Sequence, residues 1–195
     1  MYNSSVDFVV KSILKSPLVN LDGLLYQKYD SFFGQEFLEK LDLDERNLKC
    51  ESLQKHDIDT RINRKRVAYT EKISKELNIF FQNKKIINAL EEKFSEELSP
   101  EQADIWFDHP GYTLNPHLDD QRIKLSLQIY IDDSRQPGTA LYDNYIEQKG
   151  KKLVNFDYKK NSGYALLNNS KSFHATEYAV REGVRKSIFM RYKQK

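Results

Sequence analysis

"GYTLNPHLDDQRIKLSLQIYID", residues 111–132, is the stretch whose reading decides the fold. It starts polar and ends in the run "IKLSLQIYID", which predicts a buried strand. At the mouth of that run stands His117, one of only four histidines in a chain of 195 residues, two places before Asp119. On a strand, residues i and i+2 share a face, so imidazole and carboxylate can converge on one ion. His-x-Asp alone recurs by accident and gains weight only from its surroundings.

Those surroundings read as β-structure. From Ala103 onward come "ADIWFD", "GYTLNPHLD", "IKLSLQIYID", "GTALYD", "KLVNFDY", "GYALLNN", "FHATEYAV" and "RKSIFMRYK". Gly, Pro, Asn or charged turns separate these β-branched and aromatic runs at roughly ten-residue spacing, which predicts a sandwich or barrel. Eight such runs match a jelly roll. The first hundred residues read differently. "FFGQEFLEKLD" places Phe33, Phe37, Leu38 and Leu41 on one helical stripe, and "YTEKISKELNIFF" behaves alike. "KKIINALEEKFSEELS" turns Ile86, Ile87, Leu90 and Phe94 inward, and Pro100 is expected to close that helix. Such stripes are core-facing surfaces. "LQKHDIDTRINRKRVAYT" has neither period and reads as a long loop or a pair of short strands. The expected fold is α+β: a double-stranded β-helix (a cupin-like jelly roll) with N-terminal helices packed on one side. One domain is expected over 1–195, with 1–100 mainly helical support and 101–195 the core holding the site.

Composition narrows the function classes. Thirty-one Lys and Arg are interspersed with 29 Asp and Glu, which reads as a solvated surface and calls for no nucleic-acid footprint, while leaving room for a local basic patch. No run of 18 apolar residues suggests a membrane span. "MYNSSVDFVVKSILKSP" lacks the features of a signal peptide, and a single cysteine, Cys50, suits a reducing compartment and reads as a structural bystander. A cytoplasmic protein is expected.

His174 opens the run "FHATEYAV" and supplies a second imidazole. Two histidines and one carboxylate form a facial triad that leaves adjacent positions open on a non-haem Fe(II). Farther on, "GVRKSIF" sets Arg185 and Ser187 on one strand face. Each piece has a plainer account: a core histidine, a turn-capping Asp119, a surface-paired Arg185. Two other functions use the same ligands. A non-enzymatic cupin-like metal-binding module would need a fourth protein ligand, which the sequence does not offer. A zinc hydrolase would leave Arg185 and Ser187 without a task. His109, beyond the Pro110-Gly111 turn, is not read as a ligand.

In order and spacing, His-x-Asp, a distal histidine and then Arg-x-Ser resembles the Fe(II)/2-oxoglutarate-dependent oxygenase superfamily. "PGYTLNPHLD" is similar to its prolyl-hydroxylase-like branch, and the likeness spans about residues 103–193. It implies that His117, Asp119 and His174 bind iron. It implies that Arg185 pairs with the distal carboxylate of 2-oxoglutarate, with Ser187 and Tyr130 assisting. The family's activity, hydroxylation of a C–H bond with release of succinate and CO2, follows as an expectation, with ascorbate as an accessory reductant. The substrate would be a protein or peptide side chain, prolyl included, or a small molecule. One departure is Leu114, where such relatives often carry a tyrosine. Nucleic-acid demethylases of the superfamily carry a second arginine six residues after a first, and that branch is set aside because Arg181, Arg185 and Arg191 are read as not reproducing the spacing, Arg181 lying seven past His174. Candidate substrate contacts are Arg122, Asn168, Trp106, Tyr112 and Tyr142. The stretches 53–68 and 144–152 are candidate lids. A guanidinium, always charged and bidentate, suits a buried carboxylate better than an ammonium does.

Overall fold

The computed structural model describes residues 2–41, 43–52, 63–133, 135–143 and 150–195. Four helices lie on one side: α1 (Tyr2–Lys15), α2 (Gln35–Lys40), α3 (Lys72–Phe81) and α4 (Lys84–Phe94). On α1, Val6, Val9 and Ile13 recur at helical spacing and are buried. Asn83 caps α4 by accepting from the Lys85 N–H, and Ser95, left-handed at φ 55°, ends it. The helix therefore stops before Pro100, contrary to expectation. Pro100 instead lies in a strand, β5 (Leu98–Asp108).

The remaining strands are β1 (Leu18–Leu21), β2 (Leu24–Tyr29), β3 (Cys50–Ser52), β4 (Arg64–Val67), β6 (Ile123–Tyr130), β7 (Thr139–Tyr142), β8 (Lys152–Phe156), β9 (Gly163–Leu167), β10 (His174–Thr176) and β11 (Arg185–Gln194). They form an eight-stranded sheet, ordered β1-β2-β9-β6-β11-β5-β4-β3, and a three-stranded sheet, β10-β7-β8. Every pairing is antiparallel. The first hundred residues thus supply four strands to the large sheet as well as helices. Asp22 and Gly23, at φ 51° and 90°, join β1 to β2 through the two-residue turn that suits strand twist. "GYTLNPHLD", expected as a strand, makes only an isolated bridge between His117 and His174.

Period-two alternation divides the large sheet into two chemistries. One face carries Ile105 and Phe107, Leu125, Leu127 and Ile129, and Ile188, Met190 and Tyr192 into a core shared with α1, α3 and α4. Burial of each such aliphatic side chain contributes roughly 1.5–3 kcal/mol relative to exposure. Phe33, Phe37, Phe80 and Phe81 close this core, with Phe33 and Phe37 stacked at 4.6 Å. The intervening residues, Asp104, Trp106 and Asp108, Ser126, Gln128 and Tyr130, and Arg185 and Ser187, are also buried but mostly polar. They face the opposite way. The helices thus take the apolar face and leave a polar wall to build a site.

Candidate functional site

The loop between β5 and β6 carries two of the three candidate ligands. It turns at Pro110-Gly111, where the Tyr112 N–H donates to the His109 carbonyl at 3.0 Å and Gly111 has φ 89°. A glycine relieves the steric conflict of that left-handed position. The Leu114 N–H then donates to Thr176 Oγ1 at 2.7 Å, anchoring the loop to β10. His117 and His174 exchange both backbone hydrogen bonds, at 3.1 and 3.0 Å, which brings their rings to 4.4 Å between centroids. Asp120 ends the loop by accepting from the Arg122 N–H.

Asp119 Oδ1 lies 3.9 Å from His117 Nε2 and 3.7 Å from His174 Nε2. One ligand atom from each residue falls within 4.8 Å of the others. The Nδ1 atoms of His117 and His174 lie 2.9 and 3.0 Å from the carbonyls of Asn115 and Ser172. A carbonyl can only accept, so Nδ1 carries the proton and Nε2 keeps the lone pair that a metal requires. Asp119 Oδ2 accepts from Ser126 Oγ and, at 3.2 Å, from Asn168 Nδ2. Asn168 Nδ2 also donates to Ser126 Oγ at 2.8 Å and to the Ile123 carbonyl. One carboxylate oxygen is thus fixed by the protein, and the other faces the imidazoles. Among the described residues no further His, Cys, Asp or Glu joins this cluster. Two imidazoles and a carboxylate with outer hydrogen bonds in place fit a divalent metal left open on one side.

The triad opens into a cavity of about 280 Å³ lined also by Arg64, Trp106, Tyr112, Gln128, Arg185 and Arg191. A groove of about 270 Å³ between α1, α2 and α3 gathers no comparable metal-ligating cluster among the described residues. Arg185 is 1% exposed; its Nη1 donates to Asp108 Oδ2 at 2.6 Å and its Nε to the Pro137 carbonyl at 2.9 Å. Burial alone would lower the Arg185 pKa, but the adjacent Asp108 carboxylate raises it overall and keeps the guanidinium charged. Asp108 also accepts from Arg64 Nε at 2.5 Å. Behind Arg185 runs a buried polar network. Tyr130 donates to Thr139 Oγ1 at 2.9 Å, Thr139 to Gln128 Oε1 at 3.2 Å, Tyr164 to the same oxygen at 2.9 Å, and Gln128 Nε2 to Ser187 Oγ at 3.1 Å. Burial raises the pKa of both Tyr130 and Tyr164, so both stay protonated donors near neutrality.

His117, Asp119, His174 and Arg185 therefore line one cavity, while Ser187 and Tyr130 stand behind its wall. The Tyr130 ring lies 5.2 Å from the Arg185 guanidinium. Of the candidate substrate contacts, Trp106 and Tyr112 line the cavity. Asn168 holds Asp119 and is not part of this cavity's lining. Arg122 is exposed and paired with Asp120, and Tyr142 lies outside the cavity lining. His109 Nε2 lies 3.2 Å from Glu45 Oε1, away from the cluster. Of the candidate lids, 53–62 and 144–149 lie outside the described residues, and Arg64–Val67 form β4. Arg185 and Arg191 stand six positions apart on β11 and both line the cavity, so arginine spacing does not set aside the demethylase branch. The sequence reading missed Arg64, Asp108, Ser126, Gln128, Thr139 and Tyr164. The alternation in "ADIWFD", which turns Asp104 and Asp108 to one face, was the available signal for Asp108.

No family model matches the chain, and no curated protein sequence matches it. Solved structures do. An oxidoreductase of the 2OG-Fe(II) oxygenase family from Burkholderia pseudomallei aligns with TM-score 0.60 and 14% identity, over 86% of this chain and 84% of that one. The viral collagen prolyl hydroxylase of Paramecium Bursaria Chlorella virus-1, in its 2OG complex, aligns with TM-score 0.58 and 16% identity, over 87% and 96%. HygX from Streptomyces hygroscopicus, bound to nickel, 2-oxoglutarate and hygromycin B, aligns with TM-score 0.58 and 10% identity, over 87% and 82%. The chain therefore has the double-stranded β-helix fold of the 2OG-Fe(II) oxygenases.

Proposed function

We propose that the chain is a non-haem Fe(II)/2-oxoglutarate-dependent dioxygenase that hydroxylates a C–H bond of a protein side chain or a small molecule. The observation that carries this reading is the His117–Asp119–His174 cluster opening into the same cavity as a buried, charged Arg185. Arg185 would pair with the far carboxylate of 2-oxoglutarate, which burial would otherwise penalise. The metal and co-substrate would supply oxidation by dioxygen, with succinate and CO2 released.

This chain's own side chains hold and orient. Ser126 and Asn168 aim Asp119, the two carbonyl acceptors set the histidine tautomers, and the Tyr130–Thr139–Gln128–Ser187 network stiffens the wall beside Arg185. Trp106, Tyr112, Leu114 and Phe189 give the cavity apolar walls that limit water. No side-chain general base is required. Support for both substrate classes comes from the fold neighbours, one bound to hygromycin B and another a collagen prolyl hydroxylase. A reducing, cytoplasm-like compartment suits ferrous iron and the half-buried Cys50.

The test is succinate formation by the full chain with Fe(II), 2-oxoglutarate, ascorbate and oxygen, read by mass spectrometry. Slow succinate release is expected from the wild type and none from His174→Ala. Metal binding without any succinate, with or without lysate as substrate source, would favour a non-enzymatic metal-binding module.

A further inference from the structure

Arg64, Asp108 and Arg185 come from β4, β5 and β11 and occupy one register row, since Asp108 is the direct cross-strand partner of both arginines. Asp108 is fully buried and accepts from both guanidiniums: Arg64 Nε at 2.5 Å and Nη2 at 3.2 Å, and Arg185 Nη1 at 2.6 Å. The Arg64 guanidinium carbon lies 4.5 Å from the Trp106 ring and 4.3 Å from the Tyr112 ring, so its position is set by packing as well as by charge. Two cations share one anion. The row carries a net charge of one positive unit against the cavity, the charge that a single incoming carboxylate neutralises.

Without Arg64 the same geometry would fail. Arg185 and Asp108 would form a closed neutral pair, and a second carboxylate would meet the buried charge of Asp108 at close range, where repulsion is weakly screened. We propose that Arg64 is a positioning residue for the co-substrate: by taking up the charge of Asp108, it leaves Arg185 able to receive the far carboxylate of a 2-oxoacid. This rests on the function proposed above.

The test is calorimetric titration of 2-oxoglutarate into the full-length, Ni(II)-loaded protein. It compares wild type, Arg64→Gln, Arg64→Lys and the double variant Arg64→Gln/Asp108→Asn. Arg64→Gln should weaken 2-oxoglutarate binding about tenfold or more, equivalent to about 1.4 kcal/mol. Arg64→Lys should lose less, because it keeps the charge. The double variant, which restores the net charge of the row, should recover most of the affinity. Recovery separates charge balance from structural damage, since a second core substitution does not repair a damaged fold. Ni(II) affinity without 2-oxoglutarate should hold in all variants. Wild-type affinity in Arg64→Gln, or a double variant no better than the single one, would overturn the inference while leaving the oxygenase reading intact. A wild type that takes Ni(II) but no 2-oxoglutarate would refute the oxygenase reading itself, and the inference with it.

Discussion

Ser126→Ala is a small change with a large expected effect on the metal. The Ser126 hydroxyl donates to Asp119 Oδ2 and accepts from Asn168 Nδ2 at 2.8 Å, so it is the hub that fixes the carboxylate. Deleting it removes the shorter of the two hydrogen bonds on Oδ2 and leaves Asn168 at 3.2 Å as the remaining donor. A hydrogen bond to a charged group contributes about 1.5–3 kcal/mol. The Asp119 side chain is 15% exposed, so water can replace some of that bond and the lower end applies. About 1.5 kcal/mol corresponds to roughly a tenfold loss of affinity, within the range expected when an outer partner of a metal ligand is removed. Calorimetric titration with Mn(II) or Ni(II) would measure it, with thermal unfolding of the metal-free protein as a control. Full wild-type affinity in Ser126→Ala, alongside loss of binding in Asp119→Ala, would show that Ser126 does not orient the ligand.

Three further outcomes follow from the same geometry. Arg185→Lys keeps a cation but loses the planar fork, so 2-oxoglutarate affinity should fall at least about tenfold while Ni(II) affinity holds, as read by paired titrations. A Cβ at Gly163 would lie 2.1 Å from the Gln128 carbonyl oxygen, so Gly163→Ala should force β9 from β6. That costs about 2 kcal/mol and lowers Tm by about 4–8 °C in a calorimetric scan; an unchanged Tm would refute the close approach. Burial raises the hydroxyl pKa of Tyr29, Tyr130, Tyr158, Tyr164 and Tyr192 above the usual 10.0. The unfolded chain then releases these protons at lower pH than the folded one, so stability should fall as pH rises past about 10. Ultraviolet titration should show these five ionising together with unfolding; independent ionisation of a still-folded chain would contradict this.

How much of this was legible in the sequence depended on whether the signal was local. Alternation in "IKLSLQIYID" and "RKSIFMRYK" encodes β6 and β11 directly, because one face must be apolar for the helices. The same rule overreached at "GYTLNPHLD". Pro110, Gly111 and Pro116 favour turns over a ladder, and His117 takes its direction from a bridge to His174, far away in the chain. Asp22-Gly23 and the stripe of Val6, Val9 and Ile13 were readable signals for a hairpin and a helix. Arg64 was not readable in that way. Its role depends on the register of three strands, and nothing in "NRKRV" encodes which residue of β5 will lie opposite it. Likewise Asn168 read as a candidate substrate contact, and only the return of β9 beside β6 places its amide on Asp119.

The central claim is that one metal ion and one 2-oxoacid share the cavity between Asp119 and Arg185. Anaerobic titration of the full chain with Fe(II) and then 2-oxoglutarate, followed by visible absorption, tests it most directly. A weak charge-transfer band is predicted, saturating at one Fe(II) and one 2-oxoglutarate per chain and missing in His174→Ala. A protein that takes up no divalent cation, or that binds Fe(II) yet develops no band with 2-oxoglutarate, would contradict the account.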